Sequence, residues 1–182
     1  MIFFSTHNPE ELKQKYIFID NDFLSILFHK ENVFIDTIEL FNTNKFIFDP
    51  FTKFEFLRDI FVPAQYNIKE QFLNKKIFNE AQDHPEIYHK LKDNAIILSR
   101  IYAHNNTKTK SDVVDLFLAS RIMYHQNYLL ITGNKRHFPS CIFTTIAVLN
   151  VESEDSGVQA FSIIKFDKEK FDSSFLKLKA IK

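Results

Sequence analysis

The sequence predicts an α/β fold, a mostly parallel central sheet flanked by helices with a β-hairpin near the C-terminus. Short β-prone apolar runs, YIFID at 16–20, KFIFDP at 45–50 and NYLLIT at 127–132, alternate with segments whose apolar residues recur at helical spacing, the pattern of strands joined by helical crossovers. The stretch CIFTTIAVLNVESEDSGVQAFSIIKF places two strand-like runs around an acidic turn at 152–157, which reads as the hairpin and adds an antiparallel edge. With 182 residues and no repeat, low-complexity tract or linker, one domain is expected over 1–182, its core about 16–150 and its hairpin and tail 151–182.

In chain order, the strand at 16–20 is followed by NDFLSILFHK, where Phe23, Leu24, Leu27 and Phe28 fall at helical spacing. A second helix is expected over about 32–41. The next strand is closed by Asp49 and Pro50, after which FTKFEFLRDIF resumes a helical period with Glu55 in its first turns. From Pro63 to about Asn105 the pattern is helical almost throughout, and Pro85, after Asp83 and His84, marks a restart, so two helices are expected there. HNNTKTKSD at 104–112 is a loop rich in capping residues, among them Thr109, Ser111 and Asp112, and it opens the strongest helix, DVVDLFLASRIMYHQ. NYLLIT then runs as a strand into Gly133. The tail from Asp167 is charged and amphipathic.

Composition narrows the function classes. The 23 basic and 23 acidic residues cancel, so no global field draws the protein to nucleic acid or an anionic membrane, and a polyanion must be held by a local patch. The single cysteine, Cys141, excludes an internal disulfide and a multi-cysteine zinc site and reads as a small buried residue. MIFF at the N-terminus is too short for a signal-peptide core, so neither export nor membrane spanning is expected, and the cytoplasm is the expected compartment. The 22 Phe against 2 Gly and no Trp read as compositional drift. No Gly-rich phosphate loop, nucleophile elbow or dinucleotide fingerprint occurs.

Chemistry is concentrated in the acids. In a parallel sheet the functional crevice lies beyond the carboxyl ends of the strands, where Asp20 stands. Helix 112–126 buries a stripe with Leu118, Ala119, Ile122 and Met123; Asp115 falls on that stripe and Asp112 one turn earlier. A carboxylate on an apolar face is costly unless paired or bound to metal. Capping is the competing explanation for Asp112, Asp115 and Asp20, and Asp22 reads as a first-turn acid. Glu55, between Phe54 and Phe56, is hard to explain as a solvated charge. Several carboxylates at one sheet edge repel one another unless a cation neutralises them, and oxygen-only donors select Mg²⁺ or Mn²⁺. Lys135, Arg136 and His137 stand at the same edge as candidates to hold phosphate, or as solvated surface, with Lys108 and Lys110 a second patch. His84 and His89 are poorly spaced for ligands, and His125 suits a helix C-terminus.

On these residues the sequence resembles the PIN-domain family of metal-dependent nucleases, most closely the VapC-type toxin ribonucleases. FIDNDFLSILF is similar to the family's first motif, FTKFEFL to its second, DLFLAS to its third and LLITGNKRHF to its fourth, so the likeness spans most of 16–138. It implies a PIN-like three-layer fold in which Asp20, Glu55 and Asp115 bind metal, Thr132 orients Asp20, and Asn134 stands where some members carry a fourth acid; Asp112 and Asn134 are further candidate metal ligands. The implied function is a Mg²⁺- or Mn²⁺-dependent endoribonuclease, the toxin of a toxin–antitoxin pair, with RNA as substrate, an antitoxin protein as candidate partner and a homodimer as one option for assembly. The alternative is a non-catalytic PIN-like module that binds RNA or protein. A DNA nuclease would want a larger basic groove than this neutral chain offers.

Overall fold

A computed structural model describes residues 1–7, 9–58, 60–105, 111–153 and 157–180. Its strands are β1 (Ile2–His7), β2 (Tyr16–Ile19), β3 (Lys45–Phe48), β4 (Phe78–Glu80), β5 (Leu129–Thr132), β6 (Phe143–Ser153) and β7 (Gly157–Phe166). Its helices are α1 (Pro9–Leu12), α2 (Asn21–His29), α3 (Glu31–Leu40), α4 (Pro50–Leu57), α5 (Pro63–Leu73), α6 (Pro85–His104), α7 (Val113–Tyr124) and α8 (Lys168–Lys179). The strands form one seven-stranded sheet in the order β1-β6-β7-β5-β2-β3-β4. It is parallel from β5 to β4 and antiparallel from β5 to β1.

The parallel strands read as unbroken apolar runs because they are covered on both faces. Ile17 and Ile19 of β2 and Leu129 and Ile131 of β5 enter a core with Phe23, Leu24 and Leu27 of α2, Val33 of α3, Phe56 of α4 and Phe72 of α5. Phe18 and Leu130, one residue out of phase, enter a second core with Leu98 and Ile101 of α6, Leu118 and Ile122 of α7 and Phe171 of α8. The period of two thus assigns helices to opposite faces. The surplus of Phe has a packing role: Phe28, Phe34, Phe56, Phe72 and Phe78 touch in a chain of ring pairs with centroids 5.2–6.3 Å apart, which fastens α4 and α5 to the sheet.

Three features differ from the sequence reading. The hairpin of β6 and β7 is not an edge: β7 pairs with β5, and β6 is flanked on its far side by β1. The outer strand there is β1, the IFFSTH stretch left unassigned in sequence. The long helical middle is interrupted by β4, whose three residues are too few to show a period and include only one buried side chain, Phe78. The acidic turn at 152–157 falls partly on 154–156, outside the described residues, as do Lys108, Thr109 and Lys110. No helix among the described residues is long and apolar enough to cross a membrane.

The register fixes what meets at the carboxyl edge. Ile19 pairs with Ile131, and the Asp20 amide donates to Ile131 O at 3.1 Å, so Asp20 leaves β2 beside Thr132 at the end of β5.

Candidate functional site

Asp20 is the N-cap of α2, in extended conformation. Its Oδ1 accepts the Asn21 amide at 2.7 Å, and its Oδ2 accepts the Thr132 hydroxyl at 2.6 Å. Thr132 Oγ1 in turn accepts the Asn134 amide at 2.9 Å. Thr132, the residue expected to orient Asp20, therefore holds one of its oxygens while tying down the turn after β5. Both groups are buried.

Asp112 and Asp115 open α7 as a reciprocal capping box: the Asp115 amide donates to Asp112 Oδ1 at 3.0 Å, and the Asp112 amide to Asp115 Oδ2 at 3.3 Å. Capping is thus part of the account of both residues, but not the whole of it for Asp115. Its Oδ2 also meets His137 Nδ1 at 2.5 Å, and the residue is buried. Glu55 lies on α4, half-buried, with Arg58 Nη1 3.9 Å from Oε1.

Electrostatics join these acids. Burial raises Asp20, and the Asp112 charge adds to it, against the opposing Thr132 and Asn21 hydrogen bonds. Burial pushes Asp115 up to about 7, with Asp112, Asp20 and Glu55 adding to it. Glu55 is raised by burial, then by Asp112 and Asp20. The residues that the sequence places at one edge do face one another's charge. Among the described residues, however, no three His, Cys, Asp or Glu side chains form a group ready to hold a metal ion. The donors suit a hard divalent cation in kind, being carboxylate oxygens that burial and mutual repulsion leave under-compensated; they stand within electrostatic reach without being closed into a ligand set.

The remaining expected residues sit in the 3-10 turn Lys135–His137 after β5. Lys135 and Arg136 are exposed. Asn134 is committed to its neighbours, with Nδ2 2.8 Å from His137 Nδ1 and Oδ1 accepting Arg136 Nε at 3.0 Å.

Two residues have partners that the sequence reading does not assign. His137, grouped with the phosphate-holding cations, lies on Asp115, and burial followed by the Arg136 charge lowers its pKa. Asp22 is more than a first-turn acid: its Oδ2 accepts the Gly133 amide at 2.8 Å, and burial, then the Asp20 charge, pushes it up to about 7. The available signal was Gly133. In a chain with only 2 glycines, one placed directly after a strand marks a close approach, and a Cβ there would stand 2.6 Å from Asp22 Oδ2.

A second buried polar cluster lies behind the first. Asp49 caps α4 through the Phe51 amide at 2.6 Å and accepts Arg121 Nε with its other oxygen. Arg121 also grips Asp83 with both terminal nitrogens, at 2.8 and 2.5 Å. One guanidinium on α7 thereby braces the start of α4 and the approach to α6, which puts the Glu55-bearing and Asp115-bearing helices on a common support. Comparison with protein-family models, with curated proteins and with solved structures found no match.

Proposed function

We propose that the protein is a divalent-metal-dependent endoribonuclease that hydrolyses RNA phosphodiester bonds. The observation that carries this is the electrostatic coupling of Asp20 at the start of α2, Glu55 in the last turn of α4 and Asp112 and Asp115 at the start of α7, where burial raises Asp20, Glu55 and Asp115 and acidic neighbours add to it. Asp20, Glu55 and Asp115 would hold the ion, which when bound supplies an activated water and stabilises phosphate charge. The chain's own part is to place these carboxylates: Thr132 fixes one Asp20 oxygen, the capping box and His137 fix Asp115, and Lys135 and Arg136 offer exposed positive charge for RNA phosphates beside them. A protein partner of the antitoxin kind is favoured by the apolar surface around α5, where Phe61 is 91% and Ile68 56% exposed.

The alternative, a non-catalytic RNA- or protein-binding module, is favoured by one observation: the acids are not closed into a metal-holding group. Incubation with mixed RNAs and Mn²⁺ separates the two. Cleavage by the wild type, lost in chelator and in Asp20→Asn, is expected; cleavage that persists in either case sinks the metal-dependent reading, and no cleavage by the wild type leaves the binding module. Co-expression with an adjoining small reading frame should yield a complex with suppressed cleavage.

A further inference from the structure

Beside the acid cluster a cleft of about 480 Å³ opens between the turn after β5 and the start of β7. It is lined by Asp22 of α2, by Gly133, Lys135 and Arg136 of the turn, and by Gln159 of β7. The volume is within the range of small-ligand sites, about 300–1,000 Å³. The walls are set firmly: Gly133 is pulled onto Asp22 with no room for a Cβ, Arg136 is braced on Asn134, and Gln159 is registered against Val151 of β6.

The chemistry of Asp22 selects an occupant. Its Oδ1 accepts the Phe23 amide at 2.7 Å and its Oδ2 the Gly133 amide at 2.8 Å. An ionised carboxylate offers about four lone-pair sites, so each oxygen keeps one acceptor position. Two acceptors side by side match two adjacent N–H donors, and among the RNA bases guanine alone presents that pair, N1–H and N2–H. The same negative charge repels phosphate, which is drawn instead to Lys135 and Arg136 on the exposed side.

We propose that this cleft is a guanine-nucleotide subsite, in which Asp22 pairs with the base, Gln159 flanks it and Lys135 and Arg136 hold its phosphate. Resting on the endoribonuclease reading, the nucleotide is a residue of the RNA substrate next to the cleaved bond, and cleavage prefers guanosine there.

The test is calorimetric titration in chelator at pH 8. The probes are the four nucleoside 5′-monophosphates and single-stranded RNA hexamers with one guanosine or none. Guanosine monophosphate should bind at least about tenfold more tightly than the others. Asp22→Asn should erase that margin while keeping weak binding of all four, Lys135→Ala should weaken all four alike, Gln159→Ala should reduce guanosine monophosphate affinity, and the guanosine hexamer should displace the mononucleotide. Equal affinities, no binding, or a margin that survives Asp22→Asn overturns the subsite; a hexamer that fails to compete overturns its assignment to RNA. Should Asp22→Asn not fold, Gln159→Ala at the exposed start of β7 decides, and unchanged affinity in that variant counts against the cleft. With metal absent throughout, a protein that binds guanine yet never cleaves RNA with Mn²⁺ loses the nuclease reading and keeps the subsite, whereas cleavage indifferent to guanosine loses the subsite alone.

Discussion

Asp115 combines two tasks at the scale of a single residue, capping α7 and facing the acids around it, and the two are separable by charge. Its folded-state pKa, about 7 against an ordinary 3.8, means that the native chain keeps its proton to higher pH than the unfolded chain does. Stability from this group is therefore fully present below about pH 4 and is lost as pH rises through 7. In chelator the melting temperature should fall over that window, and Asp115→Asn should flatten the fall and leave the protein more stable at pH 8, on the order of 1–3 kcal/mol. Cleavage with Mn²⁺ should drop about a hundredfold in the same variant. Asp112→Asn should do less to either property, since an amide caps well. The opposite ranking in paired melts and assays would place the third ligand one turn earlier. Thr132→Val is a second case: it keeps the shape but removes the hydroxyl that serves both Asp20 and the Asn134 amide, so melts should show a loss of about 1–3 kcal/mol and cleavage should fall about tenfold or more.

Arg121 shows what governs at the scale of elements. It lies on α7, where Phe117 through Ile122 are all buried, so no polar face of the helix exists to receive it and its charge is met by Asp49 and Asp83 instead. Arg121→Met should cost about 3–5 kcal/mol, because two buried or half-buried carboxylates lose their partner. Asp83→Asn should cost clearly less, and thermal melts of the two variants order them; equal losses would mean that the ion cluster is not what α7 contributes here. The same helix explains which residues were legible in sequence. Asp20 and Glu55 stood out because each interrupts or ends an apolar run, and Asp115 because an acid fell on an apolar stripe. Arg121 did not, since a helix buried nearly all round has no stripe for a charge to violate. Asp22 and His137 depend on partners 111 and 22 residues away, and no local period records that. The strands β1 and β4 were missed for a related reason, an edge strand being only partly buried and carrying a weak alternation.

The whole molecule is organised around β5, which has β2 on one side and β7 on the other. The expected core of about 16–150 therefore lacks a strand that the central sheet needs. A chain ending at 150 leaves the β5 backbone unpaired on one side and removes Phe161 and Ile163, which are fully buried in the intact protein, so the core side chains packed around them lose their cover. Such a chain should be recovered aggregated or without a cooperative melt, as judged by near-ultraviolet circular dichroism. A soluble, cooperatively melting 1–150 would show that the parallel half is self-sufficient.

The position of β7 bears also on when the protein becomes competent during its synthesis. Residues 157–166 follow every other strand in the chain yet fill the gap between β5 and β6, so the sheet cannot close until they have left the ribosome. Until then Thr132, the turn that follows it and the Gln159 side of the cleft have no fixed relation to one another. A nascent chain would thus have the carboxylates of α2, α4 and α7 already made but not assembled, and the proposed RNA-cutting activity would be withheld from the message and the ribosome that were producing it until residues 157–166 had emerged.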